Sequence, residues 1–298
     1  MSAAADRVLT THQLAWRRFK RHKLAIASAI ILILLALSTI VVDYISQFGF
    51  AQQNLLNRVQ GPSSNHWFGT DQLGRDVFTR VLYGGRISLL VGLSVALSAV
   101  VIGGIVGAIA GYYGRWIDNT LMRVTDLFLS IPFLVILIIG ATFLADRPWV
   151  PFRPVGPIVL ILSLFFWMPD ARIVRGVFLS LKEKEFVEAA RASGAANRRI
   201  IFYHMLPNAM GPIIVNGTLS VAAAILTESA LSFLGFGVQP PTPTWGNLLN
   251  GSRQFATLYP WLVWFPGLAI LVTVLCVNFL GDGLRDALDP HQKIGAPG

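Results

Sequence analysis

Two polar side chains inside an apolar stretch of the sequence are the first candidates for chemistry. Glu228 and Asn216 both lie in the run 213–234, which is otherwise made of apolar and small residues. An ionisable side chain at membrane depth is costly to desolvate, so it either pairs with a neighbouring helix or serves a pathway. For Glu228, a structural hydrogen bond and a place in a pathway or gate both stay open. Asn216 carries the same two alternatives.

Asp170 is a second carboxylic acid at the edge of an apolar run. It follows Pro169 at the end of the run 155–168, which we expect to continue as a helix beyond the proline. Arg172 and Arg175 are close enough in sequence for a local ion pair. We therefore expect Asp170 to have a structural role.

The sequence has no arrangement of residues that is typical of an enzyme. Its five histidines are scattered without metal-ligand spacing, and its single cysteine, Cys276, lies inside the last apolar run. No phosphate-binding sequence G-x-x-x-x-G-K-[ST] occurs either. We predict that this chain is not an enzyme, holds no metal, and binds no cofactor itself.

The elements that position these residues are predicted to be membrane-spanning helices. Of the 298 residues, 54% are hydrophobic and only 13% are charged, whereas a soluble domain is about one quarter charged. Lipid tolerates no unpaired backbone, so long apolar runs must be helical. The composition predicts an all-α membrane protein with six spans. The runs are 24–42, 87–111, 124–144, 155–168, 213–234 and 261–280.

The distribution of Lys and Arg predicts the orientation of these spans. With the N-terminus inside, the inner segments hold 17 of the 24 basic residues and the outer segments hold seven. This excess follows the positive-inside rule, which places both termini in the cytoplasm. The net charge of +9 is therefore explained by the basic residues that orient the spans, and we expect no nucleic-acid partner.

The spans divide the chain into successive segments. The basic residues that close the arm, 16–23, are expected to contact lipid headgroups, with docking onto a protein as the alternative. The tail is expected to be a solvated helix end, with a contact for a partner protein as the alternative. The segments are an arm (1–23), a first span (24–42), an outer segment (43–86), a core (87–281) with an inner loop (182–208), and a tail (282–298).

Glycines at four-residue spacing mark one face of the second span. Gly103, Gly107 and Gly111 allow a neighbouring helix to approach closely, as small residues do in membrane bundles. No strand precedes them, so a dinucleotide-binding interpretation fails. We predict a helix-packing face.

Prolines break the chain after the fifth span. The segment 240–243 contains three prolines, so the chain must turn or re-enter the membrane at the outer surface. Trp245, Trp261 and Trp264 suit an aromatic belt at the membrane interface. A loop that faces an external partner or gates a pathway is the alternative.

The inner loop 182–208 predicts two short helices. Residues 182–193 favour a helix, Gly194 stands where a left-handed C-cap falls, and Asn197 can cap a second helix that Pro207 ends. One apolar face is expected to be buried, by Phe186, Val187, Ile200 and Ile201. Arg198 and Arg199 occupy the first turn, where the helix dipole disfavours cations, a placement that benefits a surface meeting an acidic partner. An amphipathic surface hairpin without a partner is the alternative.

The motif in this loop resembles the EAA loop of ABC-importer membrane subunits. The matching residues are E-A-A at 188–190, Gly194, and L-P at 206–207, while His204 stands where the pattern often has Ile. Other segments resemble the OppC/DppC-type permease subunits of oligopeptide and dipeptide importers. These segments are FGTDQLGRDVFTRVLYGGRISL, GYYGRWIDNTLMRVTDLFLSIP, PPTPTWGNLL and LGDGLRDALDP.

This resemblance implies a type I ABC-importer permease of the bacterial cytoplasmic membrane, in which two six-helix subunits pair around a pathway. The EAA loop would form a coupling helix seated in a groove of an ATPase subunit, and ATP and Mg would be bound by one or two such partner subunits. The other implied partners are a sister permease and an external solute-binding protein. The implied coupling residues are Glu188, Ala189, Ala190, Arg191, Gly194, Arg198, Arg199, Leu206 and Pro207.

The cargo implied by the resemblance is a di- or oligopeptide. Related subunits carry nickel, glutathione or other small solutes, so these stay open as alternatives. A secondary transporter that works alone is a further alternative, although no pair of interrupted helices is evident. An intramembrane hydrolase would need a Ser/His or metal pair that the spans lack.

Overall fold

The computed structural model describes residues 11–145 and 147–289, and this part of the chain is almost entirely helical. The first ten residues of the predicted arm and the predicted tail beyond residue 289 lie outside the described residues. Within the described residues, the β-structure consists of a short bridge between Thr70 and Asp76. The helices are α1 (Thr11–Phe19), α2 (Lys23–Ile40), α3 (Val42–Ile45), α4 (Val77–Tyr113), α5 (Arg115–Ser130), α6 (Phe133–Ala145), α7 (Gly156–Lys182), α8 (Glu185–Ala192), α9 (Asn197–Arg199), α10 (Leu206–Phe233), α11 (Trp245–Ser252) and α12 (Trp261–Leu288).

Five helices in the described residues are long and apolar enough to cross a membrane. They are α2, α4, α7, the continuous helix Asn197–Phe233, and α12. The predicted run 124–144 is not one helix, because α5 and α6 meet at an angle of 87°. Ile131 has extended dihedrals between them, as expected for a residue before a proline. The bent pair supplies the sixth span when it is counted as one crossing.

The second span is longer than its apolar run predicts. The helix α4 begins at Val77, ten residues before the run 87–111, and continues to Tyr113. The Asp76 side chain accepts a hydrogen bond from the Thr79 backbone N–H at 2.8 Å and so caps this helix. The prediction for the fourth span is confirmed, since α7 continues beyond Pro169 to Lys182.

The helices α4 and α7 pack closely along the glycine face. A Cβ atom at Gly107 would lie 2.4 Å from the Ala171 carbonyl oxygen, and one at Gly103 would lie 2.6 Å from the Asp170 Cβ atom. No side chain larger than hydrogen fits at this separation. By contrast, a Cβ atom at Gly104 would meet nothing within 4 Å.

Contacts between distant segments define two ends of the bundle. Arg18 donates a hydrogen bond to the Asp289 backbone carbonyl at 2.5 Å, so the arm lies against the end of α12. A Cβ atom at Gly211 would lie 3.7 Å from the Leu288 Cβ atom, which places the start of α10 there too. We call this the basic end, and the end with α11 and the start of α4 the opposite end. The positive-inside count predicts that the basic end is cytoplasmic.

Candidate functional site

The inner loop at the basic end consists of two helical pieces joined at Gly194. This glycine has φ of +78°, the left-handed conformation that its position predicts. The Ala195 N–H donates to the Ala190 carbonyl at 3.1 Å, and the Gly194 N–H donates to the Arg191 carbonyl at 3.0 Å. Together these bonds form a complete Schellman motif that ends α8. The joint is therefore a defined turn with its backbone groups paired.

Two details of the predicted second helix are wrong. Its N-cap is Ala196, which has no side-chain capping bond. The side chain of Asn197 instead accepts a hydrogen bond from the Tyr112 hydroxyl at 2.7 Å. Pro207 does not end the helix either, because the π-helical segment Ile200–Met205 resets the hydrogen-bond register and places Pro207 in the first turn of α10. A missing N–H is tolerated in a first turn.

One face of the loop is buried and the other is exposed. The apolar cluster at the basic end includes Val187, Ile200 and Met205 of the loop, each fully buried, together with Val174 and Phe178 of α7. The prediction that Phe186 is buried with them is wrong, since this side chain is 38% exposed.

Most of the predicted coupling residues lie on the exposed face. Ala190 and Leu206 are half-buried, and the others are exposed. The exposed members are Glu188, Ala189, Arg191, Gly194, Arg198, Arg199 and Pro207.

The cations of the loop are not neutralised within the described residues. Neither Arg198 nor Arg199 forms an ion pair with a carboxylate in residues 11–145 or 147–289. The Arg199 guanidinium lies 5.9 Å from the Tyr203 ring centroid, and the Arg191 guanidinium lies 5.9 Å from that of Tyr112. Both guanidinium groups are on exposed residues, so they remain available to an anionic partner.

Glu228 lies at the junction of two spans near the opposite end. It is fully buried, and its carboxylate accepts hydrogen bonds from Ser232 at 2.7 Å and from Ser88 of α4 at 3.1 Å. The same Ser88 hydroxyl accepts a bond from the Trp245 backbone N–H at 3.3 Å. The carboxylate therefore connects α10 with α4 and with the start of α11.

Trp245 does not belong to an interfacial belt, which corrects the prediction. Its side chain is 1% exposed, and its indole N–H donates to the Val81 carbonyl at 3.0 Å. The segment after α10 turns back into the bundle, so this ring fills the space between α11 and α4. Trp264 is 68% exposed, in agreement with a lipid-facing position.

Asp170 and Asn216 are brought together by α7 and α10. The Asn216 amide donates to the Asp170 carboxylate, and Ser220 donates to it at 3.4 Å. The prediction that Asp170 pairs with a nearby arginine is wrong. Arg172 donates to Asp126 at 2.5 Å, and Arg175 donates to Asp118 at 2.6 Å, because both arginines point towards α5.

Comparison with known proteins identifies the family. Residues 103–294 match the family described as binding-protein-dependent transport system inner membrane component. Residues 10–62 match the N-terminal TM domain of oligopeptide transport permease C. The first match alone covers more than half of the chain. The chain belongs to this family of inner-membrane transport permeases.

Curated relatives resemble the permease over nearly its whole length. It is 45% identical over 279 residues to the dipeptide transport system permease protein DppC of Alkalihalophilus pseudofirmus, which covers 94% of this chain and 90% of that protein. It is 41% identical over 279 residues to the oligopeptide transport system permease protein OppC of Bacillus subtilis, with 94% and 89% covered. The OppC protein of Mycobacterium tuberculosis is also 41% identical, over 277 residues that are 93% of this chain and 94% of that protein.

A solved structure with the same fold is the inward-facing MetNI methionine ABC transporter. One chain of it matches the permease with a TM-score of 0.57 at 20% identity, covering 71% of this chain and 97% of that chain. At this identity the likeness concerns the fold. It confirms the predicted architecture of an ABC-importer permease.

The permease also has a buried polar network that the sequence did not predict. The His66 Nδ1 atom lies 2.9 Å from an Asp76 carboxylate oxygen, and Arg80 donates to the Phe50 carbonyl at 2.8 Å. The cap at Asp76, four residues before Arg80, was the one local signal that could have found the early start of α4. The other contacts join residues far apart in sequence. The contact of Tyr112 with Asn197 likewise depends on how the helices pack and has no local signal in the sequence.

Proposed function

We propose that this permease is the membrane subunit of an ATP-driven importer of di- or oligopeptides. The dipeptide and oligopeptide permeases to which it is similar along most of its length support this cargo. It would form the translocation pathway with a sister permease and receive cargo from an external solute-binding protein. The chain itself would not be an enzyme, and ATP and Mg would be bound by one or two partner ATPase subunits.

The observation that carries the proposal is the inner loop 182–208, which is rigid, exposed on one side and positively charged. Its small residues, Ala189 and Ala192, would let it enter a groove of the ATPase, where Arg191, Arg198 and Arg199 would meet acidic side chains. Glu188 would be a surface contact or a carboxylate that stabilises the joint. Leu206 and Pro207 would join the loop to α10.

A rigid loop can transmit motion because its parts move together. When ATP closes the ATPase pair, the loop would be pushed as one body, since the Schellman turn at Gly194 fixes α8 relative to α9. The face at Gly103, Gly107 and Gly111 would then repack between two arrangements, as alternating access requires.

A crosslinking experiment tests the proposed docking. Cys276→Ala removes the native cysteine, Ala192→Cys places a reactive thiol on the exposed end of α8, and Gln53→Cys provides a matched thiol at the opposite end. We expect crosslinks to the ATPase from position 192 and none from position 53. Crosslinks from position 53 alone would reject both the docking and the predicted orientation.

Transport assays test the class of the transporter and its cargo. Vesicles with all subunits should take up a labelled dipeptide when supplied with ATP. Uptake by this chain alone under a proton gradient would instead indicate a secondary transporter. Uptake of nickel or glutathione but not of peptide would show that the proposed peptide cargo is wrong.

Gly194→Pro tests the joint itself. Proline cannot adopt φ of +78°, so we expect membrane insertion without stimulation of ATP hydrolysis by cargo. Normal coupled turnover in this variant would contradict the role of the joint. Insertion is checked by membrane fractionation, and hydrolysis by phosphate release.

A further inference from the structure

A side-chain hydrogen bond holds the inner loop against the rest of the permease. Within the described residues, the bond from the Tyr112 hydroxyl to Asn197, at 2.7 Å, is the side-chain hydrogen bond that joins the loop to another helix. The Tyr112 side chain is 5% exposed and lies one residue from the end of α4. A buried hydroxyl of this kind fixes the position of the group that accepts its hydrogen bond.

Tyr112 contacts both halves of the loop. Its hydroxyl bonds Asn197 at the start of α9, while its ring centroid lies 5.9 Å from the Arg191 guanidinium on α8. The two halves meet at Gly194, so one side chain contacts the loop on either side of the joint. This arrangement holds both pieces against the same point of α4.

The same stretch of α4 is fixed against the fourth span. A Cβ atom at Gly111, next to Tyr112, would lie 2.6 Å from the Phe178 Cβ atom and 2.8 Å from the Arg175 carbonyl oxygen of α7. A displacement of the loop that pulls on Tyr112 therefore acts on the packed pair α4 and α7 directly.

Apolar burial alone would not fix the loop in this way. The apolar contacts of Val187 and Ile200 in the cluster are non-directional, so a small displacement of the loop along α4 costs less in them than in a hydrogen bond. A hydrogen bond has a preferred length and angle and resists such a displacement. The polar contact is what sets the position of the loop along α4.

We propose that Tyr112 is a positioning residue that couples the inner loop to α4. This inference rests on the proposed function, because it assumes that the loop receives motion from an ATPase. Tyr112 itself touches neither ATP nor cargo. Without its hydroxyl, the loop still docks on the ATPase, but part of the imposed motion is absorbed as sliding.

The test compares Tyr112→Phe with Tyr113→Phe in the assembled transporter. Both variants lose one hydroxyl, but the Tyr113 hydroxyl makes no hydrogen bond within the described residues, and its side chain is 43% exposed. For Tyr112→Phe we expect cargo taken up per ATP hydrolysed to fall roughly three- to tenfold, the range set by one lost hydrogen bond. Basal hydrolysis should be kept, and Tyr113→Phe should behave as the parent.

Asn197→Ala provides a second route to the same result. It removes the acceptor from the exposed side without altering the buried ring, so it should lower coupling by the same factor. The double variant should lose no more than either single one, because both substitutions remove one interaction. If Tyr112→Phe disturbs assembly, Asn197→Ala decides the question alone.

The outcomes separate this inference from the proposed function. If Ala192→Cys crosslinks to the ATPase and both Asn197→Ala and Tyr112→Phe couple as well as the parent, the inference is overturned and the docking stands. If Ala192→Cys does not crosslink to the ATPase while Tyr112 and Asn197 are intact, the proposed function is overturned. Retained crosslinking with lowered coupling supports both.

Discussion

The opposite end of the permease and the inner loop at its basic end are stabilised by different kinds of contact. At the opposite end, buried polar groups interlock: Trp245 bonds Val81, Ser88 bonds Glu228, and His66 lies beside Asp76. Within the described residues, the inner loop at the basic end is attached by an apolar cluster and one side-chain hydrogen bond. Directional bonds resist rearrangement, whereas apolar contacts allow it. The difference is consistent with the proposal that the basic end receives motion while the opposite end holds the helices in place.

Substitution of Trp245 should have the largest effect on stability, because it is the largest fully buried side chain in the described residues. Trp245→Ala leaves a cavity and removes the indole hydrogen bond to the Val81 carbonyl, so we expect a loss of about 3–5 kcal/mol. Thermal unfolding of the purified complex measures it. Trp264→Ala is the control, since that side chain is 68% exposed. Equal shifts for the two variants would contradict the comparison.

The glycine face should show the next largest effect. Gly107→Val would place a side chain against the Ala171 carbonyl oxygen and separate α4 from α7, at about 1–3 kcal/mol for overpacking. Gly104→Val adds the same side chain on the same helix where nothing lies within 4 Å. Unfolding temperatures of the two variants should therefore differ clearly. If they coincide, the close approach of α4 and α7 is not what stabilises this pair.

Glu228 tests whether the buried polar groups serve structure or transport. Glu228→Leu leaves Ser88 and Ser232 without their acceptor, so we expect a loss of about 1–3 kcal/mol. Glu228→Gln keeps a hydrogen-bonding side chain but no charge. We expect this variant to have the unfolding temperature of the parent and to take up peptide at the same rate, in agreement with a structural role. Stable Glu228→Gln protein that no longer transports would assign the carboxylate to the pathway or gate.

The joint of the loop should show the smallest effect on stability. A Cβ atom at Gly194 meets nothing within 4 Å, so Gly194→Ala is penalised only by its left-handed backbone, by about 1–2 kcal/mol within the loop. Gly194→Asn should be milder because asparagine tolerates this conformation. Hydrogen exchange at α8 measures local opening, and the global unfolding temperature should hardly change. A large global shift would mean that the loop is part of the rigid framework.

Local patterns predicted those features of the fold that depend on neighbours in sequence. The apolar runs located the spans, and glycine at 194 located the turn, because each signal is contained within a helix or a turn. The proline at 132 was the available sign that the third run is bent, and it was missed. The role of Pro207 was mistaken because a π-helical segment before it changed the register.

The residue pairings could not be predicted, because they join helices that are distant in the chain. Asp170 was expected to pair with Arg172 or Arg175, yet all three residues bond other helices. Within one helix many partners are within reach, and only the packing of α5 and α10 against α7 decides which is used.

The sequence by itself determined that the chain is a multi-span membrane protein, where its apolar runs lie, and that it carries the motif of an importer permease. These properties follow from composition and local spacing. Only the tertiary structure decided that Trp245 is buried, that Glu228 joins two spans to α11, and that Tyr112 connects the inner loop to α4. Hydrogen bonds between helices depend on how those helices are rotated and placed, and no local pattern contains that information.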